Sequence, residues 1–404
     1  MASTLQKPPR LLHKLSFASE PPSRSSPRPP ARYSPLAAPG LPPNHVAEDQ
    51  LPGFAMPPKI TVLGTGGTIA GSGTYAAQTA GYKSAVLSVD GLIEAVPELG
   101  KVARLRSQQI ANVGSPDMTA ADLVRIAQTI DKELKGDTQG VVITHGTDTL
   151  EESAFFLELT INSDKPVVLV GAMRPATAYS ADGPMNLLCA VNLAASQSAR
   201  KRGVMMVLND RICSARFTTK TNANSLDSFM AAEQGYLGMF FNTEPIFYYP
   251  PCRPLNRSYF NVADRNPSDG LPQVDILYGH LDMNPALLKT SAETSQGVVL
   301  AAMGGGCWAT GAGRRVAELV RARDYPVVVS RRMASGFVGG TSNYGLEDCC
   351  IGGGLLDATR CRIQLQLALA SGLDRNAIRD LFESHGAERA AAGLEAKMRR
   401  TSVL

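Results

Sequence analysis

Ile60-Thr61-Val62-Leu63-Gly64-Thr65-Gly66-Gly67-Thr68-Ile69-Ala70-Gly71 runs from β-branched apolar residues straight into a glycine-rich turn. A short apolar run bounded by glycine reads as a buried strand feeding a tight turn. The pattern recurs at Val141-Val142-Ile143-Thr144-His145-Gly146-Thr147-Asp148-Thr149. Each stretch sets a threonine hydroxyl at the carboxyl end of a buried parallel strand, where open α/β sheets hold their ligands. Beside backbone N–H groups that glycine leaves open, such a hydroxyl points to nucleophilic attack on a carbonyl.

Outward from these stretches the chain alternates. Strands are predicted over 60–64, 141–145, 166–171, 203–208, 274–278, 297–302 and 326–330, and helices over 89–96, 119–134, 149–160, 182–198, 285–294, 309–323, 357–371 and 374–384. Thr119 is the expected N-cap of its helix, with Leu123, Ile126, Ile130 and Leu134 at helical spacing behind it. Strands separated by helices imply parallel pairing and an α/β fold. The proline-rich passage 248–272 breaks the rhythm and divides an N-terminal catalytic α/β domain, 59–247, from a C-terminal α/β domain, 273–385, with a tail over 386–404.

Residues 1–58 hold about half of the 27 prolines among Ser, Arg and Ala, and their composition predicts disorder. The segment has no continuous apolar core and so does not read as a secretory signal. It is loosely like an organelle transit peptide, and an upstream start codon ahead of Met56 is the alternative. A formal charge of +4 over 404 residues gives no reason to expect a nucleic-acid or anionic-membrane partner. No apolar run reaches 18 residues, so no membrane-spanning helix is expected. Seven cysteines without a C-x-x-C, and five scattered histidines, read as reduced packing thiols with no metal site.

Each motif has a plain structural reading beside the functional one. Gly64 and Gly66 open a G-x-G-x-x-G pattern that fails at Ile69, and no phosphate-loop lysine follows; the turn serves either close packing or catalysis. Asp148 or Thr149 alone could be a helix cap. His145 is either a base or hydrogen-bonded structure. Gly171-Ala172-Met173-Arg174-Pro175 ends another strand with N–H groups suited to hold an oxyanion. Thr219-Lys220-Thr221-Asn222 sets an amine among hydroxyls, of interest if it reaches Thr147 and Asp148. A threonine hydroxyl needs a neighbouring base to attack, and a desolvated lysine balanced by an aspartate supplies one. Together these groups suit amide hydrolysis without metal or organic cofactor.

With these residues the chain resembles the bacterial-type (type II-like) L-asparaginases of the asparaginase/glutaminase family. The resemblance covers roughly 59–385 and also takes in Ser180-Ala181-Asp182-Gly183-Pro184-Met185-Asn186-Leu187. It implies a two-domain fold, a larger mainly parallel N-terminal domain and a smaller C-terminal α/β domain, and a homotetramer built as a dimer of dimers. By motif position Thr68 matches the nucleophile and Tyr82 the loop tyrosine that assists it. Thr147, Asp148 and Lys220 match the second catalytic set. Gly67, Ser115, Gly146 and Ala172 join Thr147 and Asp148 in substrate binding, Ser115 at the α-carboxylate and Ala172 through its backbone at the oxyanion. Pro116 stands where the family has Gln or Glu against the substrate amine, a lost acceptor worth about 1–3 kcal/mol. The acid lent by a neighbouring subunit falls at Asn343 or Glu347, with Asp282 near a second lent position.

The expected activity is hydrolysis of L-asparagine to L-aspartate and ammonia through an acyl-threonine. The alternatives are a glutaminase-asparaginase that also accepts L-glutamine, an amidotransferase subunit passing ammonia to a partner, and a weakly active binding protein. The expected location is the cytoplasm, or an organelle if the N-terminal segment is a transit peptide.

Overall fold

The computed structural model describes residues 56–253, 257–340, 344–346 and 349–384. The segment expected to be disordered, up to residue 55, and the 386–404 tail lie outside the described residues. β1 (Lys59–Gly66) is buried almost throughout. It is followed by α1 (Val89–Glu94), α2 (Leu99–Val102), β2 (Arg104–Val113), α3 (Ala120–Lys135), β3 (Gly140–Thr144), α4 (Leu150–Thr160), β4 (Val167–Val170), α5 (Gly183–Ala195) and β5 (Val204–Leu208). These five strands pair in parallel in the order β2-β1-β3-β4-β5. Leu63, Val141, Ile143, Val167 and Leu169 pack with α3 and α4. Ile60, Val62, Val142 and Val168 pack with α1, α2 and α5. The period-2 alternation of a strand sends these two sets to opposite faces, so helices cover both sides of the sheet.

Chain direction across the sheet reverses between β1 and β3. In a doubly wound sheet that reversal opens a crevice at the carboxyl ends of the two strands. The glycine–threonine stretches leave β1 and β3 at that crevice. α3 starts where Thr119 predicted: its hydroxyl accepts from Asp122 N at 3.2 Å and the Asp122 carboxylate accepts from Thr119 N at 3.0 Å, a reciprocal capping box.

Beyond β5 the expected parallel rhythm stops. β6 (Arg211–Ser214), β7 (Thr219–Lys220), β8 (Phe229–Met230), β9 (Gly238–Phe241) and β10 (Glu244–Phe247) are short. β6, β9 and β10 extend the sheet antiparallel to eight strands, while β7 and β8 form a separate hairpin. Strands of two to four residues joined by tight turns carry no period long enough to read in advance. The proline-rich passage that follows is packed down: Phe260 N donates to Leu159 O at 2.8 Å, and Gln128 Nε2 donates to Val262 O at 3.0 Å and Arg265 O at 2.7 Å.

A second sheet holds β11 (Val274–Tyr278), β12 (Gly297–Ala302), β13 (Val327–Arg331) and β14 (Ile351–Gly352), parallel and in sequence order. α6 (Ala286–Thr294) and α7 (Thr310–Arg323) lie in the core on one face. α8 (Ala358–Ala370) and α9 (Arg375–Glu383) lie in the other, which is continuous with the α3–α4 layer of the first sheet. α8 is buried nearly all round, including Arg360 at 1% exposure, because it sits between the two sheets.

Candidate active site

Gly66 and Gly67 have φ of 99° and 80°, a region that L side chains rarely adopt. A Cβ on Gly67 would lie 2.2 Å from Gly146 N, so the turns after β1 and β3 touch backbone to backbone. A Cβ on Gly146 would in turn strike the Ser115 side chain at 2.8 Å. Glycine at these points lets three loops converge with no side chain between them. Thr65 fixes the contact from behind, its hydroxyl donating to Thr144 O at 2.7 Å.

Thr68 follows Gly67 in a single 3-10 turn, Thr68–Ala70, and is half-buried. Its Oγ1 lies 2.8 Å from the Tyr82 hydroxyl. Tyr82 comes from the loop between β1 and α1, which folds back through paired bonds between Ser72 and Lys83, at 2.8 and 3.1 Å. Ala85 N to Gly67 O at 3.1 Å and Val86 N to Ala70 O at 2.7 Å draw the loop onto the turn that carries Thr68.

The second set lies across the Gly67–Gly146 contact. Lys220 Nζ donates to Thr147 Oγ1 at 3.0 Å and pairs with Asp148 Oδ1 at 2.6 Å. Thr147 is buried, whereas the Asp148 side chain is 62% exposed. Ser115, buried in the turn after β2, accepts from Asp148 N at 3.1 Å through its hydroxyl and from Thr149 Oγ1 at 2.8 Å through its carbonyl. Thr149 makes no side-chain cap to α4 and is tied instead to the Ser115 turn. Pro116 is exposed in that same turn.

Ala172 is fully buried after β4. Its turn is held by Asp182, which accepts from Met173 N and Arg174 N, each at 2.9 Å, and by Asn186 Nδ2 donating to Gly171 O at 3.0 Å. Asp182 and Asn186 are therefore the working members of the 180–187 stretch.

His145 takes the structural alternative. It is buried; Nδ1 lies 2.7 Å from Gly146 O and Nε2 lies 2.9 Å from Ser153 Oγ. A carbonyl only accepts, so Nδ1 carries the proton and Nε2 takes the Ser153 hydroxyl hydrogen. Burial holds this imidazole below its ordinary pKa against the opposing pull of the Gly146 carbonyl. With both nitrogens occupied, it is a neutral strut rather than a base.

Thr68, Tyr82, Gly67, Ser115, Gly146, Thr147, Asp148, Ala172 and Lys220 thus belong to turns and a hairpin around the carboxyl ends of the parallel strands. Asp282 does not join them: it lies on the exposed loop after β11, with φ of 53°, and no hydrogen bond links it to either threonine set. Asn343 and Glu347 lie outside the described residues. Among the described residues no three His, Cys, Asp or Glu side chains converge as metal ligands, and no helix is long and apolar enough to cross a membrane. Sequence reasoning assigned no role to Glu151, whose carboxylate accepts from Thr219 Oγ1 at 2.7 Å and from Lys220 N at 2.5 Å. Its only signal was a place one turn after Asp148.

Residues 59–253 match the family described as asparaginase, N-terminal, and residues 273–382 match the glutaminase/asparaginase C-terminal domain. The chain belongs to the asparaginase family. L-asparaginase 2-3 of Saccharomyces cerevisiae is 48% identical over 329 residues, 80% of this chain and 90% of that protein. L-asparaginase 2 of Bacillus subtilis is 40% identical over 337 residues, 81% of this chain and 87% of its own length. The crystal structure of a probable cytoplasmic L-asparaginase from Campylobacter jejuni superposes with a TM-score of 0.76 at 38% identity, covering 80% of this chain and 99% of that one. The two sheets described above are the two domains of the asparaginase fold.

Proposed function

We propose that this protein hydrolyses L-asparagine to L-aspartate and ammonia through a covalent acyl-threonine. The observation that carries the reading is the backbone contact between Gly67 and Gly146. It sets the Thr68–Tyr82 hydroxyl pair beside Thr147, Asp148 and Lys220. Thr68 Oγ attacks the side-chain amide carbon while its proton leaves through Tyr82. N–H groups near Thr147 and Ala172 hold the oxyanion. The C–N bond then breaks, the nitrogen takes a proton and departs as ammonia, and an ester to Thr68 remains. Water, deprotonated on attack by the Thr147–Lys220 pair, adds to that ester and releases aspartate, and the proton returns to Thr68. Ser115 and Asp148 orient the substrate's α-carboxylate and α-amine.

Thr68→Ala abolishes ammonia release from asparagine on this reading; full activity in that variant overturns it. Glutamine differs by one methylene, worth about 1–3 kcal/mol of discrimination. Side-by-side kinetics on the two amides test the preference for asparagine.

The same reading makes the working unit a homotetramer, a dimer of dimers in which Asp282, with Asn343 or Glu347, completes a neighbour's site. Support comes from the exposure of Asp282 away from its own threonines and from the bare apolar side chains around it, Tyr278 at 59% and Leu281 at 92% exposed. Sedimentation of the full chain as a monomer would remove that proposal. Cys189, Cys213, Cys252, Cys307 and Cys361 are free thiols, and burial pushes Cys189, Cys213 and Cys361 up to about 12. Free thiols, the exposed Cys252 among them, fit a reducing compartment, and we place the protein in the cytoplasm; a tagged full-length chain found in an organelle excludes that.

A further inference from the structure

Lys220 sits on a two-residue strand, and hairpins this short do not hold a long side chain in place by themselves. Its partner strand contributes Phe229 opposite Lys220, and Thr221 N donates to Ser228 O at 2.7 Å. Two further grips act on the segment from opposite sides.

From α4, the Glu151 carboxylate accepts from Lys220 N at 2.5 Å through one oxygen and from Thr219 Oγ1 at 2.7 Å through the other. From α8, buried Arg360 donates to Thr218 O, to Ala215 O at 3.3 Å and, more weakly, to Thr219 Oγ1 at 3.5 Å. Arg360 is itself held by Asp357, which caps α8 by accepting from Arg360 N at 2.9 Å. The Thr219 hydroxyl therefore donates to Glu151 and accepts from Arg360. The main chain on either side of it is gripped by a charge from each sheet's helices.

Resting on the reading of Lys220 given above, we infer that Glu151 is a positioning residue for Lys220, acting with Arg360 as a two-sided clamp on Thr218, Thr219 and Lys220. Glu151 touches no reacting atom in this arrangement. It occupies Lys220's main chain and leaves Asp148 and Thr147 to take its side-chain nitrogen. One consequence is that α8 of the C-terminal domain reaches the chemistry of the N-terminal one through a single buried guanidinium. Charge-assisted bonds to both donors fix the lysine more tightly than a neutral loop contact does. A displacement of about 1 Å in a group near the chemistry costs on the order of 100-fold in rate.

The test is a double-mutant cycle on the full chain, following ammonia release from L-asparagine for the wild type, Glu151→Gln, Lys220→Met and the double variant. Glutamine presents an NH2 group to one of the two donors and so breaks half of the grip. Glu151→Gln is expected to lower kcat about 10-fold or more, and the double variant to be no slower than Lys220→Met alone, because the clamp acts only through the lysine. Thr219→Val removes the hydroxyl but keeps the carboxylate, and is expected to show the same dependence on Lys220; it carries the cycle if Glu151→Gln does not fold. An equal fold-loss in both backgrounds, which a merely structural role produces, overturns the proposal, as does an unchanged kcat. A wild type that releases no ammonia, or an active Thr68→Ala, defeats the functional reading instead. Thr68-dependent activity with an additive cycle defeats only the clamp.

Discussion

Thr68 and Thr147 leave the ends of neighbouring parallel strands, but the first is completed by a loop and the second by a framework. Thr68 has one side-chain partner, Tyr82, on the 22-residue excursion between β1 and α1, residues 67–88, that is pinned by backbone bonds at its base. Thr147 has Lys220, and around it stand Asp148 and Glu151, both bonded to Lys220, and Ser115, bonded to Asp148 N. The difference follows from what each hydroxyl does on the proposed reading. A nucleophile must be reached by the substrate and released from it, so its helper belongs on a segment that can give way. A set that orients the substrate and handles protons gains from being fixed in advance. The point of backbone contact, Gly67 on Gly146, is the one feature the two share.

The most disruptive change is therefore at that contact. Gly67→Ala places a methyl 2.2 Å from Gly146 N in a residue with φ of 80°, and both terms oppose it: a left-handed backbone that alanine disfavours and a clash with main chain that cannot turn aside. The expected cost is about 3 kcal/mol of stability, read by denaturant unfolding, together with loss of ammonia release. A variant with wild-type stability and activity would mean that the two turns need not touch, and the comparison would fail at its base.

Tyr82→Phe sharpens the comparison. It removes the hydroxyl 2.8 Å from Thr68 Oγ1 and nothing else that the loop uses to fold. Loss of one proton-transfer group predicts a kcat lower by about 100-fold, with unfolding unchanged because the half-buried tyrosine caps no core. If melting moved as much as turnover, Tyr82 would be framework too, and the distinction between the two threonines would be lost.

The sequence shows the parts of this arrangement that rest on long or repeated patterns. β1, β3 and β4 are apolar runs cut off by glycine, and Thr68, Thr147 and Ala172 take their places from those runs. β2 escapes because it is an edge strand, Arg104-Leu105-Arg106-Ser107-Gln108-Gln109-Ile110-Ala111-Asn112-Val113, whose polar residues face water. β6 to β10 escape because no strand among them exceeds four residues. Glu151 looks like any first-turn acid favoured by a helix dipole; only the return of the chain at Thr219, 68 residues later, gives it a task. His145 read either way in one dimension, and burial decided it.

That burial yields the smallest effect, on stability alone. His145 is held neutral by desolvation, below its ordinary value of 6.5. The unfolded chain binds a proton there as pH falls below about 6.5, while the folded chain does not. The stability owed to neutral His145 is complete above that value and declines as the medium becomes more acid, by at most about 1.4 kcal/mol per pH unit. His145→Gln keeps a polar side chain beside Ser153 and Gly146 but removes the titration. Melting curves from pH 7.5 to 5.5 are expected to fall more steeply for the wild type than for the variant, from a lower starting point in the variant because an imidazole-shaped site is imperfectly filled. Parallel curves would mean that another group carries the acid sensitivity and that the strut beneath Thr147 tolerates a charge. The second threonine would then rest on a softer support than its hydrogen bonds imply, and the contrast with Thr68 would narrow to a difference of exposure.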